Sequence, residues 1–284
     1  MIKPVQKDRP FLADLDAVDK ASSDLHVWWL GQSGFLVQWK GHRLLFDPYL
    51  SDSLTKKYAA TEKPHVRMTE RVIAPEHLLG IDVVTTSHNH TDHLDHDTLV
   101  PLLTSNPEMH LVGPEANRSF IANRIKRPES FLDGLDAGQS IALEPFKITA
   151  VPAAHEDLAK DNRGRHHYLG FIAEFGDWII YHSGDTMLYD GMEAILRQWP
   201  IDLAFLPING RRPERRVAGN LWGREAATLA STVGIKDVIP CHYEMFAFNT
   251  ESPDEFTEAC RRLGQTKTVM KAGEHKHWSK STSP

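Results

Sequence analysis

The sequence has few cysteines, no long apolar run and no excess of positive charge. Only 2 of its 284 residues are cysteine, so a disulfide framework does not hold the fold. No apolar segment approaches the roughly 20 residues that span a bilayer, and the first residues lack the apolar core of an export signal. The formal net charge of −6 does not suggest a nucleic-acid-binding protein. We therefore expect a cytoplasmic protein without membrane insertion.

The composition is that of an ordinary globular protein, with 41% hydrophobic and 25% charged residues. The length suits one large domain or two small ones, and no Ser/Gly linker separates two parts. We predict an N-terminal arm over residues 1–25, loose or with a short helix, followed by a single domain over residues 26–284.

Short runs of aromatic and β-branched residues predict strands that first form hairpins and then alternate with helices. The predicted strands are 27–30, 35–39, 43–47, 81–86, 110–113, 140–151, 168–175, 178–181, 202–206 and 237–240. The predicted helices are 95–103, 114–126, 223–233 and 253–263, and 48–77 is predicted to be a long loop. This order favours β-sheets with helices packed outside, in two similar halves.

Five of the predicted strands have an aspartate or a histidine at their end or just past it. The residues are Asp47, the segment from His88 to His93 with His90 and Asp92, then His155, then His182 and Asp185, and finally His242. Loops after strands gather at one edge of a sheet, so these side chains are expected to meet. Imidazole and carboxylate groups without thiolate suit Zn²⁺, Mn²⁺ or Fe²⁺. We predict one or two divalent ions per chain, with manganese or zinc preferred and iron as an option.

The spacing His-x-His-x-Asp-His, with a later lone histidine, an Asp after Ser-Gly and a C-terminal histidine, resembles the metallo-β-lactamase-fold hydrolases over residues 27–242. The resemblance implies an α/β fold, a four-layer αββα sandwich with the metal site at the sheet edge. It implies two metal positions that share a bridging Asp185. The first takes His88, His90 and His155, and the second takes Asp92, His93 and His242.

Two further residues are expected to support these ligands. Asp47 matches the strand-end aspartate of the family, which usually supports the ligand loop. His182 is a candidate for the same role, with a packed strand-end histidine as the alternative.

Three sequence segments, at 28–34, 181–186 and 238–242, resemble those of the L-ascorbate-6-phosphate lactonase family. Enzymes of that family open a sugar-phosphate lactone and are associated with manganese. Their equivalent of His155 need not be histidine, whereas the full ligand set here favours a two-metal site. This departure weakens any transfer of the exact substrate.

The predicted reaction is hydrolysis by a metal-bound hydroxide, with Asp92 as the catalytic residue that orients it and carries a proton to the leaving oxygen. Four arginines lie in the segment 211–216, after the strand 202–206. Arg211 and Arg212 are candidates to grip an anion, together with Asn209, while a solvated loop is the alternative. Tyr243 is a candidate donor to a developing oxyanion.

We therefore expect a metal-dependent hydrolase that opens a small anionic lactone or ester. Two alternatives stay open: a phosphodiesterase of the same fold acting on a nucleotide or phospholipid, and a non-catalytic metal-binding protein. The partner is expected to be a small anionic substrate, and a homo-oligomer is one option for the assembly.

Overall fold

Two β-sheets lie face to face in the computed structural model, which describes residues 1–280. The first sheet has the spatial order β13-β1-β2-β3-β4-β5-β6. Its strands are β1 (Leu25–Gly31), β2 (Gly34–Trp39), β3 (His42–Phe46), β4 (Val83–Thr85), β5 (His110–Pro114), β6 (Leu132–Leu135) and β13 (His275–Trp278). The second sheet has the order β12-β11-β10-β9-β8-β7. Its strands are β7 (Ser140–Leu143), β8 (Phe146–Pro152), β9 (Leu169–Phe175), β10 (Trp178–His182), β11 (Leu203–Pro207) and β12 (Asp237–Cys241).

Seven α-helices are described, and most of them cover the outer faces of the sheets. They are α1 (Arg9–Ala17), α2 (Ser53–Tyr58), α3 (His96–Ser105), α4 (Arg118–Ile125), α5 (Met192–Leu196), α6 (Gly223–Val233) and α7 (Asp254–Leu263). Helices α1, α3 and α4 pack on the first sheet, and α5, α6 and α7 pack on the second. The expected four-layer αββα sandwich is confirmed. None of these helices combines the length and the apolar character that crossing a bilayer requires.

The alternation of side chains along β1 shows how the layers form. Val27 and Trp29 face the space between the sheets, whereas Trp28 and Leu30 lie under the helices of the first sheet. Successive strand residues point to opposite faces, so both faces of this strand are apolar and buried. Between the sheets, Phe35 stacks on Phe205 with ring centroids 4.0 Å apart.

The structure differs from the predicted elements at several places. The predicted strand 140–151 is a hairpin of β7 and β8, and the predicted loop 48–77 contains α2. The predicted helix 114–126 starts only at Arg118, because Pro114 ends β5 and a 3₁₀ turn follows it. Of the two forms predicted for the arm, the structure shows the short helix, α1, whose Phe11 and Leu15 are buried with Trp28. The division into residues 1–25 and 26–284 stays a prediction.

Strand direction brings several loops to one edge of each sheet. In the second sheet, β8 and β10 are both antiparallel to β9, and β10, β11 and β12 are parallel. In the first sheet, β3, β4, β5 and β6 are parallel. The carboxyl ends of β8, β10 and β12 therefore share one edge, as do those of β3 and β4.

Candidate metal centre

Every predicted metal ligand follows the carboxyl end of a strand. The ligands are His88, His90, Asp92 and His93 after β4, His155 after β8, Asp185 after β10 and His242 after β12. The structure brings all seven together in three overlapping groups of three residues. Within each group, one ligand atom from each residue lies within 4.8 Å of the others. The groups are His88, His90 and His155; His88, His93 and Asp185; and Asp92, His93 and His242.

Asp185 lies between the other ligand candidates. Its Oδ1 is 3.3 Å from His93 Nε2, and its Oδ2 is 3.2 Å from His242 Nε2 and 3.8 Å from His155 Nε2. Asp92 Oδ2 is 3.5 Å from His242 Nε2. One carboxylate therefore faces members of both predicted metal positions, as a bridging ligand would.

Three buried atoms at the centre have no hydrogen-bond partner: His88 Nε2, His93 Nε2 and Asp185 Oδ1. Unpaired buried polar atoms are rare and need an explanation. All three atoms are of types that coordinate a divalent cation. The residues present therefore fit a divalent metal, and the donor set does not distinguish manganese from zinc.

The outward-facing nitrogens of the histidines are held by neighbouring groups. His93 Nδ1 lies 2.7 Å from Asp47 Oδ2, and His155 Nδ1 donates to the carbonyl of Gly219 at 2.9 Å. His88 Nδ1 lies 2.9 Å from Ser87 Oγ, which itself contacts Asp47. Such partners fix the ring orientation of a metal-ligating histidine, and here they leave Nε2 of each ring toward the centre.

The turn that carries Asp185 requires a glycine. Gly184 has φ +60°, and a Cβ at this position would lie 2.6 Å from the carbonyl oxygen of Leu169 and 2.7 Å from Ser87 Cβ. A larger residue would push this turn away from the ligand segment that begins at Ser87. Gly184 is thus needed to bring Asp185 close to His93.

The surroundings shift the pKa values of the histidines at the centre in two opposite directions. Burial lowers the pKa of His88 well below its usual value and that of His155 to about 4, although Asp185 opposes both shifts. These two rings are neutral at pH 7, as metal ligation requires. For His242, burial opposes protonation, but Asp185 and Asp92 outweigh it and raise the pKa to about 9. A cation that binds His242 must therefore displace a proton.

A cavity of about 280 Å³ opens over the centre. Its floor includes His90, Asp92, His155, Asp185 and His242. One side is formed by Leu54, Tyr58, His65, Phe246 and Phe248, and two cations, Lys57 and Arg124, also line it. His65 stacks on Tyr58 with ring centroids 4.1 Å apart and lies 4.4 Å from the ring of Phe248. The cavity therefore joins a polar floor to an aromatic wall.

The arginines predicted to bind an anion do not line this cavity, and their contact with substrate stays a prediction. Arg211 makes a bidentate ion pair with Glu225. Arg212 Nε lies 2.6 Å from Glu251 Oε1. Asn209 is fully buried and hydrogen-bonded to Asn220 and Asn249. The arginine segment is held to its own surroundings because acidic partners from later in the chain reach it.

Tyr243 also does not line the cavity, and its role as an oxyanion donor stays a prediction. Its ring packs 4.6 Å from that of Trp29, and its hydroxyl donates to the carbonyl of Met270. His182 donates from Nε2 to the carbonyl of Ser33 at 2.8 Å, accepts from the backbone N–H of Gly184 and stacks on Phe46. It is a packed strand-end histidine that also holds the turn before Asp185.

Sequence reasoning missed four residues of the site. Ser87 and Gln32 lie against the ligands, and Lys57 and Arg124 line the cavity. Ser87 and Gln32 adjoin predicted strand ends, which was a usable signal. Lys57 and Arg124 come from segments whose position depends on the tertiary fold.

Comparison with known proteins agrees with this geometry. A family model described as Beta-lactamase superfamily domain matches residues 42–243. The chain belongs to this family. Its match to the superfamily spans the strand-end segments from Asp47 to His242 that carry all the predicted ligands.

Curated proteins that are similar in sequence to this chain are named UPF0173 metal-dependent hydrolases. The protein from Methanosarcina mazei is 26% identical over 251 residues, which cover 87% of this chain and 96% of the relative. The protein from Pyrobaculum aerophilum is 27% identical over 252 residues, covering 88% and 98%.

Solved structures confirm the fold. Igni18, described as a novel metallo hydrolase from Ignicoccus hospitalis, has a TM-score of 0.66 at 21% identity and covers 91% of this chain and 100% of its own. A possible metal-dependent hydrolase from Veillonella parvula has a TM-score of 0.70 at 16% identity, covering 90% and 99%. At these identities the likeness shows the metallo-β-lactamase fold alone.

Proposed function

We propose that this chain is a metal-dependent hydrolase that opens a small anionic lactone or ester. The observation that carries the proposal is the convergence of seven imidazole and carboxylate side chains around unpaired buried atoms, at the floor of a cavity. The names of the relatives as metal-dependent hydrolases support the same class of reaction.

The chemistry that bound cations supply here is a water of lowered pKa and polarisation of the attacked oxygen. The first position would be held by His88, His90 and His155, and the second by Asp92, His93 and His242, with Asp185 between them. No serine or cysteine nucleophile is needed. Manganese or zinc is the proposed metal, and iron is a further option.

Asp92 is the proposed catalytic residue of the chain. It is the least buried of the three carboxylates at the centre, with 16% of its side chain exposed, and it lines the cavity. Burial opposes its ionisation, but the charges of His93 and His242 lower its pKa well below the usual value. The carboxylate can take up the proton that the attacking water loses and transfer it to the leaving oxygen.

The size and charge of the cavity support a small anionic substrate. Ligand pockets typically measure about 300–1,000 Å³, so this one lies at the small end. Lys57 and Arg124 line the cavity and supply positive charge there. A nucleotide or a phospholipid would need a wider cleft, which makes a phosphodiesterase the weaker candidate.

The test is an activity panel on protein of known metal content. Chelated protein should be inactive toward lactones, esters and a bis-aryl phosphodiester, and Mn²⁺ or Zn²⁺ should restore hydrolysis of a small anionic lactone or ester. Substitution Asp92→Ala should abolish that hydrolysis, while Asp133→Asn on the surface should not. Activity that survives complete metal removal would refute the proposal. Hydrolysis of the phosphodiester alone would favour the alternative, and a metal-loaded chain inactive on every compound would indicate a non-catalytic metal-binding protein.

A further inference from the structure

Gln32 reaches the metal centre from the turn between β1 and β2. Its side chain is buried, with 1% exposure. The carboxamide nitrogen Nε2 donates to Asp92 Oδ2 at 2.7 Å and lies 3.0 Å from His242 Nε2. Gln32 thus touches two of the three side chains that form the second predicted metal position.

The backbone holds this side chain in place. Gln32 has φ +52° and follows Gly31 at φ +94°. Its carbonyl accepts the backbone N–H of His242 at 3.0 Å and the indole N–H of Trp29 at 3.1 Å. A left-handed conformation at a residue other than glycine is strained and clusters at functional sites. The turn therefore fixes the direction of the Gln32 side chain relative to His242.

The carboxamide oxygen of Gln32 accepts no hydrogen bond in this arrangement. Oε1 of Gln32 is buried and has no hydrogen-bond partner. A carboxamide has nearly the same shape after a half-turn about its last bond, which exchanges oxygen and nitrogen. That half-turn would place Oε1 beside Asp92 Oδ2 and His242 Nε2. Oε1 and the carboxylate oxygen of Asp92 repel one another at such a distance unless a cation lies between them.

We propose that Gln32 donates its carboxamide oxygen to a cation held by Asp92, His93 and His242. This inference rests on the metal centre of the proposed function but not on its reaction. The carboxamide then has two uses, because its N–H group donates to Asp92 before a cation binds and its oxygen serves as a ligand afterwards. Amide oxygens suit harder ions, so the second position favours Mn²⁺ over Zn²⁺ more than the first position does.

Two substitutions at the same position separate an oxygen ligand from a hydrogen-bond donor. Gln32→Met removes both polar atoms at similar length, and Gln32→Glu keeps an oxygen but cannot donate to Asp92. Gln38→Met is a matched control, because Gln38 is equally buried in the same hairpin but bonds to Arg43 instead. The measurements are metal atoms per folded chain and the dissociation constants of Mn²⁺ and Zn²⁺, obtained by competition with a chromophoric chelator.

We expect Gln32→Met to lose one of two ions or to bind it at least about tenfold more weakly, while Gln32→Glu and the Gln38→Met control bind both. Wild-type binding in Gln32→Met would overturn the inference. Equal weakening in Gln32→Glu would overturn it as well, because the N–H donor would then be the group that matters. If Gln32→Met does not fold, Gln32→Leu, which also lacks both polar atoms, takes its place in the comparison with Gln32→Glu.

The outcomes also separate this inference from the proposed function. A wild-type chain that binds no cation refutes the metal centre and the role of Gln32 together. A chain whose two ions depend on Gln32 but which hydrolyses nothing on the panel refutes only the proposed reaction. Two-ion binding that is indifferent to Gln32 refutes only this inference.

Discussion

Asp47 and His93 are both fully buried, and Asp47 Oδ2 lies 2.7 Å from His93 Nδ1. This contact joins the end of β3 to the ligand segment after β4. The same carboxylate accepts the backbone N–H of Ser87 at 3.1 Å and the hydroxyl of Thr85 at 2.9 Å. Burial opposes its ionisation, but the hydrogen bonds from His93 and Ser87 and the charges of His182 and His93 together outweigh it and lower the pKa of Asp47. One carboxylate thus orients His93 and fixes the start of the segment that carries four ligands.

Substitution Asp47→Asn should weaken metal binding by about 10- to 100-fold, because the loss of a partner that orients a metal ligand has effects of this size. Asparagine keeps the shape of the side chain but not its charge. The measurement is the dissociation constant of Mn²⁺ or Zn²⁺ on the folded variant. Asp133→Asn is the control, since Asp133 pairs with His110 at the surface. Unchanged metal affinity in Asp47→Asn would contradict a supporting role.

The sequence was informative where a local rule decides the position of a side chain. Parallel strands of one sheet present their carboxyl ends at one edge, so His155 and His242 could be predicted to meet although they are distant in the chain. The arginine segment shows the opposite case. Glu225 and Glu251 lie 14 and 39 residues beyond the arginines that they hold. No local pattern predicts that pairing, because it depends on how α6 and the segment after β12 pack.

Substitution Phe205→Ala should destabilise the fold by about 3–5 kcal/mol, the usual cost of removing a buried phenylalanine. Phe205 is fully buried and contacts Phe35 and Phe46 from the opposite sheet, so its loss leaves a cavity between the sheets. Chemical denaturation followed by circular dichroism measures the change. Phe120→Ala, at an exposed position, is the control. A decrease of less than about 1 kcal/mol in the free energy of unfolding would mean that the two sheets move together and fill the cavity.

Substitution Lys57→Ala should raise KM for an anionic substrate about two- to fivefold, the equivalent of one exposed ion pair. Lys57 lines the cavity over the metal centre. Arg212→Ala is the matched control, because this arginine is already paired with Glu251. Steady-state kinetics on the best compound of the panel would measure both variants. A larger effect of Arg212→Ala than of Lys57→Ala would favour the arginine segment as the anion site.

A pair of histidines far from the metal centre should make the fold sensitive to acid. His26 Nδ1 lies 3.0 Å from His275 Nε2, and His275 Nδ1 lies 3.0 Å from Asp14 Oδ2. Burial lowers the pKa of both histidines, and His277 lowers them further. Asp14 opposes both shifts, and Asp24 opposes that of His26.

Because both pKa values are lower in the folded chain than the usual 6.5, the unfolded chain binds protons more readily. The stability that this pair contributes is therefore complete above pH 6.5 and is lost as the pH falls through the lowered values. The Tm of the wild type should decrease between pH 7 and pH 5, and that decrease should be smaller in His26→Gln. His77→Gln, at an exposed position, is the control and should follow the wild type. All three proteins should carry the same metal load, so that protonation of the metal ligands contributes equally and cancels in the comparison. Parallel Tm curves for wild type and His26→Gln would show that the pair does not couple folding to pH.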